Sequence, residues 1–177
     1  NPPYGVGTRV DAVRLGLTGL FARRFVHSTI QLGALTEGTA DELRAVTIEC
    51  GRAGDPAADV AARAGLTRFL ETERLPLAIP PPGMTVLGEP VRVCVRPGVR
   101  IAFSEVPCAG VDLTLRGDID RHNFEALLPG VPVGWLGDGA DWPLVATGAD
   151  GEDVSHDYFV LRDRLLAGQA AGDPLAE

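Results

Sequence analysis

One acidic residue, Glu49, stands where a carboxylate could take part in chemistry. It lies near the end of LRAVTIEC, an apolar and partly β-branched run at residues 43–50, directly before the glycine-rich turn GRAG at residues 51–54. A charge that faces an apolar core costs several kcal/mol unless it is paired or neutralised. Glu49 is therefore either a solvated strand end, which spacing alone favours, or a general base placed in a cleft.

The elements that must position Glu49 predict an α/β layer. Residues 43–50 are expected to form a buried interior strand, and ligands of open α/β sheets bind outside the carboxyl ends of such strands. Before this strand, residues 11–27 carry apolar side chains at helical spacing. After it, Asp55 followed by Pro56 is a typical helix start, with an acidic N-cap and proline in the first helical position. We therefore expect Glu49 to face a cleft.

The helix predicted after Asp55 extends to about Arg74. One of its faces is apolar, which is typical of a helix that packs on a sheet. That face consists of Ala62, Leu66, Phe69 and Leu70. The order helix, strand, helix favours an α/β fold class for this part of the chain.

A proline-rich segment divides the chain. PLAIPPPG, residues 76–83, holds four prolines, which remove hydrogen-bond donors and block helix formation. We predict part of an α/β domain over residues 1–75, a linker over 76–83, a small all-β domain over 84–166 and a flexible tail over 167–177. Short apolar or alternating runs separated by Gly, Pro and Asp predict the strands of the β domain. These runs are VRVCV at 91–95, VRIAF at 99–103, VDLTL at 111–115, VPVGWL at 131–136 and PLVAT at 143–147.

The composition excludes several classes of function. The formal net charge of −8 argues against a nucleic-acid surface, because the phosphate backbone binds basic faces. No apolar run approaches the roughly 18 residues that span a bilayer, so we expect no membrane partner. The three cysteines form no CxxC pair, which predicts neither a disulfide framework nor a cysteine zinc site and favours the cytoplasm.

Several segments carry a resemblance to a known family. They are NPPYGVG at 1–7, RRFVHSTIQLGALTE at 23–37, TIECGRAGDPAADVAARAGLTRFL at 47–70 and, more loosely, DLTLRGDIDRHNFEALLPGVPVGWL at 112–136. Together they resemble the second half of the succinylglutamate desuccinylase/aspartoacylase family, whose members have a zinc carboxypeptidase fold and hydrolyse the amide of N-acyl amino acids. The catalytic glutamate of that family lies in a T-x-E-x-G motif, which Thr47, Glu49 and Gly51 match.

The resemblance implies a partial zinc carboxypeptidase-like α/β layer and a metal-assisted reaction. In the family, zinc polarises the acyl carbonyl and lowers the pKa of its water, and the glutamate carries the proton to the leaving amine. The zinc is held by an H-x-x-E motif and by a histidine in D-x-H-N, and we expect both upstream of Asn1. The implied catalytic residue is Glu49, with zinc in the full-length enzyme and no metal ligand or cofactor in this chain. Because it lacks the zinc ligands, the chain as given is expected to be inactive alone.

Two other groups of residues are weighed beside the T-x-E-x-G motif. His122 and Glu125 form an H-x-x-E pattern, but they lie between predicted β strands, so we interpret them as a loop histidine with a nearby acid and not as a zinc site. Cys50, with His27 upstream, matches the residue types of a thiol nucleophile. Neighbours on a strand point to opposite faces, however, so Cys50 is expected to pack as a small hydrophobic residue.

Two residues are candidate substrate ligands. Arg52 could bind a substrate carboxylate through a bidentate pair, and the alternative is a solvated turn arginine. Tyr158, in HDYFVLRD, resembles a family tyrosine that reaches the site from the C-terminal domain, and the alternative is a half-buried strand tyrosine. Thr39 stands where the aspartoacylase branch has a substrate-binding arginine, which argues against an aspartate-derived substrate.

The sequence thus predicts part of a zinc-dependent hydrolase that removes an acyl group from an N-acylated amino acid or a similar small amide. The alternative is a non-catalytic relative whose β domain is a binding or oligomerisation module, and assembly into a homo-oligomer stays open. A lipoyl or biotin carrier is excluded, because the chain has no lysine to be acylated.

Overall fold

The computed structural model describes residues 2–30, 35–39, 42–88, 90–148 and 150–169. It is a mixed α/β structure that divides into two compact units, residues 1–90 and residues 91–177. No helix within the described residues is long and apolar enough to cross a membrane.

The first unit contains one four-stranded sheet. Its elements in chain order are β1 (Tyr4–Gly7), α1 (Ala12–Gly19), β2 (Arg24–His27), α2 (Leu35–Gly38), β3 (Thr47–Glu49), α3 (Pro56–Glu71) and β4 (Thr85–Leu87). The strand order is β3-β1-β2-β4, with β1, β2 and β4 parallel and β3 antiparallel to β1. Glu49 therefore ends an edge strand, and the prediction of an interior strand is wrong. The apolar character of residues 43–50 does not encode strand order, which depends on pairing with β1.

The helix α1 packs closely on β1. Asp11 caps it by accepting hydrogen bonds from two backbone N–H groups of the first turn, each at 3.0 Å. A Cβ atom on Gly5 would lie 2.7 Å from Thr18 Cγ2, so glycine is what allows the helix to approach the strand here. Leu15 of α1 and Phe25 of β2 are fully buried and form the core of this unit.

The helix predicted over residues 11–27 ends at Gly19, and Arg24–His27 form a strand instead. This strand, β2, lies between β1 and β4 and pairs with both in parallel. Such pairing involves residues far away in sequence, and it overrides the helical spacing of the local apolar side chains.

The start of α3 is confirmed. Asp55 Oδ1 accepts a hydrogen bond from the backbone N–H of Ala57 at 2.9 Å, and Pro56 occupies the first turn. The helix ends at Glu71, slightly earlier than predicted. The capping interaction is contained within a few neighbouring residues, which is why the sequence alone reveals it.

The predicted packing face of α3 is largely exposed. Its three large apolar residues are solvent-exposed: Leu66, Phe69 and Leu70. The buried residue of the helix is Gly65, where an added Cβ would lie 2.6 Å from Phe21 Cε1. The phenyl ring of Phe21 packs against the helix backbone at Gly65. The helix therefore contacts its unit through a small residue, and its large apolar side chains are exposed to solvent.

Along the chain, the boundary between the two units lies after Pro90 and not at residues 76–83, where it was predicted. Thr85–Leu87 form β4, and the backbone N–H of Thr85 donates a hydrogen bond to the carbonyl of Arg23 at 2.9 Å. The proline-rich segment therefore connects α3 to β4 inside the first unit. Its composition blocks helix formation, as expected, but a strand that belongs to the preceding sheet follows it.

The second unit is built mainly from β strands. Its elements are β5 (Arg92–Val95), β6 (Ile101–Phe103), β7 (Leu113–Leu115), a 3₁₀ turn (Ile119–His122), β8 (Pro132–Leu136), β9 (Leu144–Thr147), α4 (Ser155–Tyr158), β10 (Phe159–Arg162) and β11 (Leu165–Gly168). Five strands form one sheet in the order β10-β11-β8-β7-β6, and β5 pairs with β9 in a second sheet. The buried core takes residues from both sheets: Leu113, Val133, Leu136, Leu144 and Leu166.

Each of the five runs predicted as strands contains one strand of this unit. Residues 167 and 168, predicted as part of a flexible tail, belong instead to β11, which pairs with β10 and β8. The backbone N–H of Gln169 also donates a hydrogen bond to the carbonyl of Tyr158 at 2.8 Å. The rest of the predicted tail, residues 170–177, lies outside the described residues.

Candidate functional site

A cavity of about 170 Å³ lies beside Glu49 in the first unit. Gly5 of β1 faces α1, so Tyr4 and Val6 point to the opposite face of the sheet. Tyr4 pairs with Glu49 and Val6 with Thr47 in the antiparallel register, which places these four side chains on one face. The cavity is lined by Tyr4, Val6, Gly7, Thr8, Ser28, Thr36, Glu37, Thr47 and Glu49.

Polar groups of α2 and β3 meet at this cavity. Thr36 Oγ1 lies 3.2 Å from Thr47 Oγ1, within hydrogen-bond distance. Glu37 adds a second carboxylate to the lining, and Tyr4, Thr8 and Ser28 add further hydroxyl groups. The cavity therefore offers a small ligand both carboxylate acceptors and hydroxyl groups that donate or accept hydrogen bonds.

The charge of Glu49 affects two neighbouring groups. Burial, and secondarily the Glu49 carboxylate, raises the pKa of the Tyr4 phenol, which therefore stays protonated and able to donate a hydrogen bond at neutral pH. The same two causes raise the pKa of the Cys50 thiol. Because the thiolate is the nucleophilic form, this environment disfavours the thiol nucleophile weighed from the sequence.

The structure brings some of the predicted site residues together and not others. Thr47 and Glu49 share the cavity. Arg52 is an exposed turn residue that is not among the lining residues, and its carbonyl accepts a hydrogen bond from the Asp55 N–H at 3.1 Å. Tyr158 belongs to the second unit, where it ends α4 at 42 % exposure, so it is not a strand tyrosine.

Most of the lining residues were missed from the sequence, among them Tyr4, Thr36 and Glu37. The alternation Y-G-V-G at residues 4–7 is the signal that could have found Tyr4, because it is typical of a strand with one bulky and one bare face. Thr36 and Glu37 have no comparable local signal. Their position depends on where α2 lies relative to β3, which is a tertiary property.

The H-x-x-E pattern at His122 and Glu125 is a hydrogen-bonded pair. Nδ1 of His122 lies 3.1 Å from Glu125 Oε2, and Nε2 lies 3.9 Å from Asp118 Oδ2. Arg116 donates to both carboxylate oxygens of Asp118, at 2.8 and 2.6 Å, and lowers the pKa of that carboxyl. Within the described residues, no group of three or more His, Cys, Asp or Glu side chains could hold a metal ion.

Comparison with known proteins leaves the family open. No family model matches the chain, and no curated protein or solved structure matches it. The cavity geometry and the residues that carry the resemblance, Thr47, Glu49 and Gly51, are the features that point to a function.

Proposed function

We propose that the first unit carries the general base of a hydrolase that removes an acyl group from an N-acylated amino acid or a similar small amide. The supporting observation is that Thr47 and Glu49, from the T-x-E-x-G motif, line one cavity together with Tyr4. Glu49 is exposed at the end of its strand and lines the cavity, so its carboxylate can reach a water molecule held beside the Tyr4 phenol. The volume, about 170 Å³, favours a small substrate, because pockets for larger ligands measure roughly 300–1,000 Å³.

Each group has a defined role in this reaction. The Glu49 carboxylate accepts a proton from water as the water oxygen bonds to the acyl carbon. When the carbon–nitrogen bond breaks, Glu49 returns that proton to the departing amine. The Tyr4 phenol donates a hydrogen bond to the carbonyl oxygen, where negative charge develops in the transition state. A tyrosine phenol carries this proton at neutral pH, and the raised pKa of Tyr4 moves its ionisation further from neutrality.

Zinc, which the resemblance implies, does not fit the residues described here. A catalytic zinc ion takes three protein ligands and leaves one position for water. The cavity offers the carboxylates of Glu37 and Glu49 but no imidazole, and the described part of the chain holds no suitable cluster elsewhere. The role assigned to Glu49 is therefore proton transfer, with no metal held by these residues.

Hydrolysis of N-acetyl and N-succinyl amino acids tests the proposal, using the protein as its native gene encodes it. Glu49→Gln preserves the size of the side chain but removes its ability to accept a proton, so kcat should fall at least about 100-fold. Glu71→Gln, at the exposed end of α3, is the matched control and should retain the parent kcat. A Glu49→Gln enzyme within a few-fold of the parent would rule out the general-base role.

The second candidate function is that of a non-catalytic relative whose second unit is a binding or oligomerisation module. It is favoured by an apolar cavity among the strands of that unit. If the parent protein hydrolyses none of the acyl amino acids and the second unit binds a ligand, this candidate replaces the hydrolase.

A further inference from the structure

The second unit contains an apolar cavity of about 310 Å³. Both of its sheets contribute walls, β5 and β9 from one and β7, β8 and β10 from the other. The lining residues are Val93, Cys94, Val95, Leu115, Ile119, Leu127, Val133, Leu144 and Phe159. Apart from the Cys94 thiol, every lining side chain is a hydrocarbon.

This cavity is continuous with the hydrophobic core. Val133 and Leu144 line it and also belong to the buried core cluster. Its other side is open, because Val93 and Leu127 are exposed, so its apolar walls contact water when no ligand is bound. A ligand that covers these walls removes apolar surface from water and adds packing contacts.

We propose that the cavity binds an aliphatic chain of about eight to twelve carbons, scaled from a cavity of about 150 Å³ that holds benzene. The volume of about 310 Å³ lies at the lower end of the range for ligand pockets. The ligand class is a medium-chain acyl compound whose hydrocarbon part is recognised by shape and apolarity.

The chemistry of the walls favours a hydrocarbon chain over a peptide segment. A peptide would carry backbone N–H and C=O groups into a space whose side chains offer no hydrogen bond beyond one weak thiol. An aliphatic chain has no such groups to satisfy. Its binding removes apolar surface from water and adds van der Waals contacts with the cavity walls.

The exposed lining residues show where the chain enters. Val93 and Leu127 are 45 % and 39 % exposed, whereas Val133 and Leu144 are buried. The cavity mouth therefore lies at β5 and Leu127, and the polar end of the ligand stays there in solvent. No residue of the Glu49 cavity lines this site. The two proposals can therefore be tested independently of each other.

A thiol placed at the cavity mouth provides a direct test. Val93 and Val95 share one face of β5, the face on which Val95 packs against the core, so the side chain of Cys94 between them points to the opposite face. The whole chain with Val93→Cys is alkylated with N-ethylmaleimide, and each cysteine is followed by mass spectrometry. Decanoate at about ten times its dissociation constant should slow alkylation of the introduced thiol about tenfold. The native Cys50, Cys94 and Cys108 are internal controls whose rates should not change, and butanoate, with a shorter chain, should protect far less.

A pair of matched variants locates the binding. Val93→Trp fills the mouth of the cavity and should weaken decanoate binding about tenfold or more, a change of about 1.4 kcal/mol or larger. Val106→Trp makes the same change at an exposed position outside the lining and should bind decanoate like the parent. If Val93→Trp does not fold, Leu127→Trp blocks the other side of the mouth.

Three results would overturn the site. The first is unchanged alkylation of the thiol introduced by Val93→Cys at millimolar decanoate, and the second is equal protection of all four cysteines, which indicates a general effect on the fold. The third is protection of the introduced thiol that increases with protein concentration without decanoate, which would mean that a second copy of the chain fills the cavity.

Discussion

Glu49 and Tyr4 face each other across β3 and β1, and their pairing determines the chemistry of the first cavity. Each residue is opposite the other in the antiparallel register, so the carboxylate and the phenol share one face of the sheet. The carboxylate charge contributes to the raised pKa of Tyr4, after burial. The phenol can therefore be used to measure whether Glu49 is where the structure places it.

We predict that Glu49→Gln lowers the pKa of Tyr4 towards its ordinary value of 10.0, because it removes a negative charge that disfavours the ionised phenol. The decrease should be partial, since burial of Tyr4 remains. The chain has two tyrosines, so a Tyr158→Phe background leaves Tyr4 as the only one that titrates. Ultraviolet absorbance of the phenolate against pH gives the measurement.

Glu71→Gln in the same background is the control for that titration. It removes one negative charge from the end of α3, away from the cavity lining, and should leave the Tyr4 curve in place. Identical curves for Glu49→Gln and the parent would show that the carboxylate and the phenol are not neighbours.

In the first unit, α1 makes a close contact with β1. The bare face of β1 at Gly5 lets the fully buried Thr18 side chain lie against the strand. This close approach leaves the other face of β1, with Tyr4, free to form the wall of the cavity. The packing of one helix therefore determines which side chains the strand offers to a ligand.

We predict that Gly5→Ala destabilises the first unit by about 1–3 kcal/mol, the usual cost of overpacking a closed core. The new methyl group would lie 2.7 Å from Thr18 Cγ2, and Thr18 has no solvent-exposed side to move to. Urea unfolding followed by far-ultraviolet circular dichroism reports this unit, because the long helices α1 and α3 both belong to it.

Gly88→Ala is the matched control for Gly5→Ala. Its new Cβ would meet nothing within 4 Å, so the free energy of unfolding should stay close to that of the parent. Equal stability of the Gly5 and Gly88 variants would contradict the close contact between α1 and β1.

The elements also show what a sequence can and cannot predict. The start of α3 could be predicted, because Asp55 caps its own helix within a few residues. The strand β2 could not, because its partners β1 and β4 are distant in sequence. The same distinction applies to the residues of the candidate site. Glu49 was singled out from a local motif, whereas Tyr4 lines the cavity because of a pairing between β1 and β3 that no local pattern specifies.

At the scale of the whole molecule, each unit contains its own cavity. The cavity at Glu49 is lined entirely by the first unit, and the cavity at Val133 and Leu144 entirely by the second. The boundary after Pro90 was missed because proline content identifies where helices stop, and not to which sheet the next strand belongs. Variants in one cavity can therefore be assayed without altering the lining of the other.

Chemical rescue of Glu49→Ala in the whole protein tests the central claim most directly. Formate is small enough to occupy the space of the missing carboxylate and to accept the proton in its place. We predict that Glu49→Ala lowers hydrolysis of N-acyl amino acids at least about 100-fold and that formate restores the rate about tenfold or more. Glu49→Gln, whose amide fills the same space, should not respond to formate. A folded Glu49→Ala protein that keeps the parent rate, or whose lost activity formate does not restore, would contradict the general-base role.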